Sequence, residues 1–474
     1  MSRKKPERSS GFKLFEQSGD RMVTPELTAE VASEHISRLK DLRYFKIRPL
    51  KTIISGVRCY VCKSDRLDSY GKGVTDAQAR ASALMEFCER YSHINFNYKR
   101  APGYVVKSFS EMSRAKADVV PRSYFLSNFF DLANVRNLLA EIAGIRLKWI
   151  KGRSLISGRD IYYPINWHNY IFTSTGLASG NTFEEAILAG LCEVIERENI
   201  YRFFVDRRKA PDVDLGSFSD PLIRSMIEQA GKAGIRLRVK DISFDLKVPT
   251  FILQGRCEKR RGLLTGKGSG QGCHPDPDKA LMRCLTEYFE SFAALEEIER
   301  TPVWFGWDEL ISCLPRKNFG FINRFNQGMF DRASSSVARS KFKSISRKGG
   351  FKELRCLLNV MKRKKFDVII VNKIHPKINI PVARVIVPGM RSNISNETND
   401  IRRILSLVYH EADEHKAAID SLKKSLLAKK YAEYFSGMGD KIDFYDVDYL
   451  KTLEALGDKK TNVLFLNNGL TLGR

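Results

Sequence analysis

The chain has 474 residues, enough for two or three domains, and its 43% apolar and 11% aromatic content can bury a large core. Its 80 Lys and Arg against 55 Asp and Glu give a net charge of +25, which favours acidic partners such as nucleic acid, anionic peptides or phosphates without choosing among them. No run of about eighteen apolar residues occurs and no apolar segment follows the basic start "MSRKKPERSSGF", so neither a membrane span nor a secretory signal is expected.

Residues 1–45 read as a polar segment, partly helical in "TPELTAEVASEHISRLKDL". Residues 50–70 read as strands and hold the CxxC of Cys59 and Cys62. Positions three apart on a strand face opposite ways, so buried structural cysteines are expected rather than a zinc or redox pair. The nine cysteines are scattered, which fits a reducing, cytoplasmic compartment better than a disulfide framework.

A helix is predicted at about 76–92. Residues 107–150 mix loop and helix, residues 147–178 read as strand-like, and a second helix is predicted at about 183–200. "PLIRSMIEQAGKAGI" reads as a helix, "LRVKDISF" and "VPTFILQGRC" as strands, "GLLTGKGSGQG" as a Gly-rich loop, and about 277–296 as a helix. Segment 313–350 is irregular, basic and aromatic, and reads as a mobile loop or lid. "FKELRCLLNVMKRKK" is a predicted helix, "FDVIIVN" and "PVARVIVPGM" are strands, and charged helix follows from about 400. This alternation predicts an α+β (mixed α/β) fold. It divides into an N-terminal segment 1–45, a catalytic domain 46–400 and a helical extension 401–474.

Two segments repeat a pattern: "GVTDAQARASALMEFCERYS" (73–92) and "GNTFEEAILAGLCEVIEREN" (180–199). Each has Gly, then Thr two residues on, Ala at six, Glu at thirteen, and Glu-Arg at sixteen and seventeen. Thr75 with Gln78 and Thr182 with Glu185 form capping-box signatures, which gives both helix starts a physical cause. Ser82, Glu86 and Glu89 fall on one helix face, as do Glu185, Ala189, Glu193 and Glu196. Glu184 and Glu198 fall off that stripe and are expected to be solvated. A third, looser copy is "GCHPDPDKALMRCLTEYFESF", with Ala280, Glu287 and Glu290 at matching positions.

Like charges on one face repel unless they are exposed, paired or bound to cations. The flanking residues are Ala, Leu, Met, Phe, Val and Ile, so these helices read as largely buried. One such helix alone reads as ion pairs on a solvated face. Two with matching caps read as a divalent-metal site, with magnesium on carboxylate oxygens and room for phosphates, and Arg90 and Arg197 to balance charge. The loop around Gly262, Gly266 and Lys267 is not a Walker motif, because the spacing is short and Gly268 follows the lysine. His274 has no HxxxH or Cys/His partner spacing, and no GxSxG is present.

"GKGVTDAQARASALMEFCERYS", "TGLASGNTFEEAILAGLCEVIERE", "GCHPDPDKALMRCLTE" and "VARVIVPGMR" resemble the YcaO family in order, spacing and wording, over about three quarters of the chain. The resemblance implies the YcaO-like fold and ATP with Mg2+ as cofactors, bound without a Walker motif. Carried over residue by residue, it implies Ser82, Glu86, Glu89 and Arg90 from the first motif. From the turn it implies Ser179 and Asn181, and from the second helix Glu185, Glu193, Glu196 and Arg197. Lys72 and Arg283 are further phosphate candidates. It implies ATP-dependent phosphorylation of a peptide backbone amide, giving an azoline or, with sulfide, a thioamide. The partners implied are a peptide or protein substrate and a TfuA-like or substrate-recognition protein; a homodimer is compatible with it, and neither nucleic acid nor membrane is expected. Azoline-forming members commonly end in a Pro-rich tail, whereas no proline follows Pro388 here, so the thioamide type is favoured. The competing reading is a basic nucleic-acid-binding protein or metal-dependent nuclease, with Phe319, Phe321 and Phe325 of the 313–350 segment as a stacking surface.

Overall fold

The computed structural model describes residues 23–126, 146–257, 267–300, 330, 335–345, 350–392, 462–466 and 469–473. The expected lid at 313–350 and the expected helices at 133–145 and beyond 400 fall largely outside these residues.

Helix α1 (Pro25–Ser37) starts at a Thr24 cap, whose hydroxyl accepts the Leu27 N–H at 3.3 Å. An antiparallel meander follows: β1 (Phe45–Leu50), β2 (Arg58–Ser64) and β3 (Asp68–Gly73). Helix α2 (Asp76–Ile94) packs on β3 and on α1. Cys59 and Cys62 lie on opposite faces of β2, each in a different core cluster, as the strand reading requires. Burial pushes the Cys62 thiol up to about 12, so it stays protonated.

The next stretch holds β4 (Val105–Lys107), α3 (Phe109–Arg114), α4 (Arg122–Leu126), β5 (Leu147–Ser154), β6 (Asp160–Pro164), α5 (Ile165–Phe172) and β7 (Leu177–Ser179). Then come α6 (Phe183–Phe204), β8 (Asp212–Val213), α7 (Pro221–Lys232), β9 (Ile235–Asp241), β10 (Thr250–Cys257), β11 (Lys267–Cys273) and α8 (Pro277–Arg300). The described elements end with β12 (Ser336–Val337), α9 (Gly350–Arg363), β13 (Ile369–Asn372), β14 (Val382–Ile386) and the hairpin β15 (Asn462–Leu466)–β16 (Gly469–Gly473). One sheet runs β4-β5-β13-β14-β7, with β6 also paired to β5. Another runs β11-β10-β9-β8-β12. The fold is α+β, as expected. No helix among the described residues is long and apolar enough to cross a membrane.

Two sequence expectations need correction. Residues 165–172, expected as strand-like, form helix α5. Its aromatic residues Trp167 and Phe172 are buried beneath α4 and the sheet, and an eight-residue stretch is too short to reveal its period. Residues 267–272, expected as a loop, form most of β11. A Cβ on Gly270 would come within 2.2 Å of the Cys284 carbonyl oxygen, and one on Gly272 within 2.2 Å of the Ala280 carbonyl oxygen. These glycines let α8 lie directly on the strand, a use of glycine that strand propensity does not anticipate.

The three strand–turn–helix units, β3–α2, β7–α6 and β11–α8, contact one another in a ring. Helix α2 also touches β7, α6 also touches β11, and α8 also touches β3. The third, looser copy of the sequence pattern is therefore a structural equivalent of the first two.

Candidate active site

The caps set where each acidic helix begins. Thr75 accepts the Gln78 N–H at 3.2 Å, and Thr182 accepts the Glu185 N–H at 3.2 Å. In both, the reciprocal side chain reaches one residue beyond the cap. Gln78 accepts the Val74 N–H at 3.0 Å, and Glu185 accepts the Asn181 N–H at 2.9 Å. From these fixed starts, two further turns of each helix bring its late acids to the preceding strand. Glu86 accepts the Tyr70 N–H at 3.2 Å, Glu193 accepts the Gly176 N–H at 3.1 Å, and Glu287 accepts from the Gln271 side chain.

Six carboxylates gather from the three helices: Glu86 and Glu89 (α2), Glu193 and Glu196 (α6), Glu287 and Glu290 (α8). Their fields overlap. Burial, then Glu86 and Glu193, hold the Glu89 carboxyl well above the carboxylate range. Burial raises Glu193 against the pull of Arg197. Glu196 is pushed up to about 8, first by burial and then by Glu287 and Glu193, against Arg197 and Arg283. Burial raises Glu290, opposed by Lys72. Glu86 and Glu193 keep 30% and 27% of their side-chain surface exposed, so the cluster is open to a ligand from solvent.

Four cations stand among these acids. Arg90 Nε donates to Glu86 at 2.9 Å. Arg197 lies 3.8 Å from Glu193 and 3.9 Å from Glu196. Lys72 Nζ donates to Glu290 at 2.7 Å and sits 3.6 Å from Glu287. The Arg283 charge acts on Glu196, and its Nη1 donates to the Cys273 carbonyl at 3.5 Å. Fully ionised, the acids exceed these cations by two charges. That excess suits divalent cations. No three of the His, Cys, Asp and Glu side chains among the described residues converge as a ready metal cage. This arrangement fits magnesium, which takes one or two carboxylates and completes its shell with water and phosphate oxygens.

The other expected residues lie around this centre. Ser82 is half-buried one turn before Glu86. The Ser179 hydroxyl donates to the Met85 carbonyl at 2.9 Å, and its backbone N–H favours the ionised form of Glu89. Asn181 accepts from the Thr28 hydroxyl at 3.0 Å and donates from Nδ2 to Glu185 at 3.2 Å. Glu185 is therefore engaged with the turn, and along α6 it stands eight residues, about 12 Å, from Glu193.

Glu287 and Glu290 were not among the sequence candidates, although the third copy of the pattern marked their positions. Glu198 needs a correction. It is 1% exposed, not solvated, and is clamped by the Arg391 N–H at 2.6 Å, Arg391 Nη2 at 3.0 Å and Arg202 Nε at 2.5 Å. Arg391 lies nearly two hundred residues away in sequence, so local spacing could not reveal the pair.

Comparison with known proteins agrees with this geometry. A family profile described as YcaO cyclodehydratase, ATP- and Mg2+-binding, matches residues 70–391. A Rhizobium leguminosarum bv. trifolii protein described only as lying in the tfuA 3' region is 26% identical over 429 residues, covering 80% of this chain and 90% of that one. A heterocyclase in complex with substrate and cofactor superposes with a TM-score of 0.62 at 22% identity, over 81% of this chain and 55% of its own. YcaO from Methanopyrus kandleri bound with AMPPCP and Mg2+ superposes with a TM-score of 0.58 at 18% identity, over 81% of this chain and 96% of its own. The chain belongs to the YcaO family, enzymes that bind ATP and Mg2+ and use them for amide activation.

Proposed function

We propose that this chain converts a backbone amide of a ribosomally made peptide or protein into a thioamide. The observation that carries the phosphoryl-transfer part is the six-carboxylate cluster with its excess of negative charge, matched to Mg2+-bound nucleotide. The thioamide assignment is supported by the tfuA-region relative, which aligns over nearly its whole length. In this reading a TfuA-like protein is the partner.

Glu86, Glu89, Glu193 and Glu196 would hold magnesium, with Glu287 and Glu290 closing the third side. Glu185 would serve an outlying ion or hold the Asn181 turn. When bound, Mg2+·ATP supplies the phosphoryl group that turns the amide oxygen into a leaving group. Arg90 and Arg197 are held by their own helix acids, so they meet phosphate charge without reorganising. Lys72, Arg283, Ser82, Ser179 and Asn181 would position the nucleotide. Hydrosulfide adds through sulfur to the amide carbon, the amide oxygen takes the γ-phosphoryl group and departs as phosphate, and the sulfur proton ends on that phosphate. Peptide amide, ATP and HS− thus become thioamide, ADP and hydrogen phosphate.

The test is mass spectrometry of a candidate peptide after incubation with the protein, its partner, ATP, Mg2+ and sulfide. A gain of about 16 Da supports the thioamide, and a loss of about 18 Da assigns an azoline instead, from the atoms exchanged on phosphorylated-amide chemistry.

A further inference from the structure

Helix α9 shows water a face of one sign. Leu354, Leu357, Val360 and Met361 are buried, and Glu353, the one acid of the helix, turns inward to within 3.5 Å of Lys279. Lys352, Arg355, Lys362 and Arg363 are exposed, and the exposed Lys364 and Lys365 follow them. None of these six has a carboxylate within ion-pairing distance among the described residues. Lys352, Arg355, Asn359 and Lys362 are spaced three, four and three apart, so they share a face, and like charges so placed repel. The helix dipole favours cations in the last turn but not in the first, where Lys352 stands. The folded chain gains nothing from this face by itself.

The basic strip continues onto the end of α6. Leu246 and Val248 belong to the same buried cluster as Leu357, Val360 and Met361, which seats the 244–248 loop against α9. Asp245 in that loop accepts from Arg202 at 3.1 Å and from Arg208 at 2.7 Å, which fastens the segment after α6 to it. Arg207, Lys209 and Lys247 stand exposed beside these pairs, with no ion-pair partner among the described residues. Arg207, Lys247 and Lys365 hold φ at +51°, +53° and +60°. Glycine adopts that conformation with less strain, so three positions on this surface keep a cation at a cost to the backbone.

Helix α6 joins this surface to the acidic cluster, and α9 packs along it. Its last residue, Phe204, stands eight residues beyond Glu196, about 12 Å along the axis. An extended peptide covers that span in about four residues.

We infer that the outer face of α9, with the neighbouring 207–209 and 247 positions, docks an acidic segment of the peptide or protein substrate, about four residues or more from the amide that is modified. The inference rests on the peptide-amide reading of the reaction. Carboxylates of the segment supply the counter-charge that the chain itself withholds from this face. A polypeptide fits better than nucleic acid. The exposed large apolar side chains among the described residues, Tyr44, Ile94 and Leu222, belong to other elements, so no stacking platform accompanies the cations. Asp206 and Asp245 also stand among them, where they would repel a phosphate backbone. Docking keeps the target amide at high local concentration beside the magnesium carboxylates, so it acts on KM rather than on the chemical step.

The probe is a fluorescein-labelled Glu-Gly repeat peptide, with a Gln-Gly repeat as control. Carbodiimide coupling joins its carboxylates to lysine amines of the full wild-type chain. The expected adducts concentrate on Lys209, Lys247, Lys352, Lys362, Lys364 and Lys365; adducts spread evenly over the exposed lysines overturn the inference, whether or not any variant folds. By fluorescence anisotropy, Lys352→Glu/Arg355→Glu/Lys362→Glu weakens probe binding about tenfold or more, through three lost ion pairs and the repulsion that replaces them. Lys40→Glu/Lys46→Glu/Lys99→Glu makes the same change of net charge at other exposed positions, and an equal loss there overturns the inference in favour of net charge alone. Both triple variants keep wild-type Mg2+·ATP affinity. For a peptide that gains mass in the assay above, the α9 variant raises KM about tenfold and leaves kcat unchanged. A mass gain with unaltered KM in that variant overturns the docking surface and keeps the reaction. Adducts on this face with no mass change in any candidate peptide overturn the substrate as occupant and assign the face to an acidic partner protein. Oligothymidylate that displaces the probe at lower concentration than unlabelled Glu-Gly peptide overturns it in favour of nucleic acid.

Discussion

Glu196→Gln should make the ligand-free protein more stable at alkaline pH and leave it unchanged in acid. The Glu196 carboxyl rises from 4.5 to about 8 on folding. Between those values the folded chain holds a proton that the unfolded chain has released. Stability therefore falls as pH rises through this window, by about 1.4 kcal/mol per pH unit, up to about 5 kcal/mol in all. Glutamine is an uncharged isostere of the protonated acid, so it carries no such penalty. From pH 6 to pH 8 the stability difference between variant and wild type should open by about 2.3 kcal/mol in favour of the variant, the last part of the window being flattened because the folded-state carboxyl is itself half ionised at pH 8. At about 2 °C per kcal/mol for a chain of this size, the Tm gap widens by about 5 °C.

The assay is thermal unfolding of both proteins at pH 6, 7 and 8, with and without Mg2+·ATP. Comparing the pair cancels groups that act the opposite way, such as His93, His168 and Lys373, whose depressed values make stability rise with pH. Mg2+·ATP should reverse the ranking by stabilising only the wild type. A Tm gap that stays constant across this range would refute the claim that Glu196 is held protonated by burial and neighbouring acids.

Three other outcomes are expected. Calorimetry should give about tenfold weaker Mg2+·ATP binding for Glu287→Gln, comparable with Glu86→Ala and Glu193→Ala, if all three helices share the ion load; unchanged affinity would confine the site to two helices. Glu198→Gln should cost about 2–4 kcal/mol in denaturant unfolding, because it strips the Arg202 and Arg391 guanidinium groups of a buried carboxylate; a cost under about 1 kcal/mol would mean that Asp206 and Asp245 compensate. Gly270→Ala should lower both Tm and nucleotide affinity, since its methyl must push α8 and its acids away from β11; wild-type affinity would show that the position of α8 is not critical.

What the sequence made legible was local and periodic. The caps at Thr75 and Thr182 and the 13, 16, 17 spacing were enough to place Glu86, Glu89, Glu193 and Glu196 on facing turns, because helical geometry converts spacing into direction. The third copy was harder to read because its helix starts at a Pro-Asp-Pro-Asp turn rather than Gly-x-Thr, so the shared cap that confirmed the first two was missing. Composition misled at β11, where glycine signals flexibility in isolation but serves close packing when a helix lies against the strand. It misled again at α5, which is only eight residues long and so shows no clear period, and at Glu198, whose partner comes from residue 391.

The ring of contacts explains why the acids can be kept together without metal. Each unit supplies two late glutamates, and at least one cation stands beside each pair: Arg90 in the first, Arg197 in the second, Lys72 across to the third. Lys72 comes from β3 but pairs with α8, so the third pair is neutralised by the first unit, and the ring closes through that ion pair as well as through packing. A two-unit version would leave Glu290 without Lys72, the charge that opposes the burial already raising that carboxyl, and would push it further toward its protonated form. Three units around one centre therefore hold enough charge to attract a divalent cation and enough counter-charge to remain folded before it arrives.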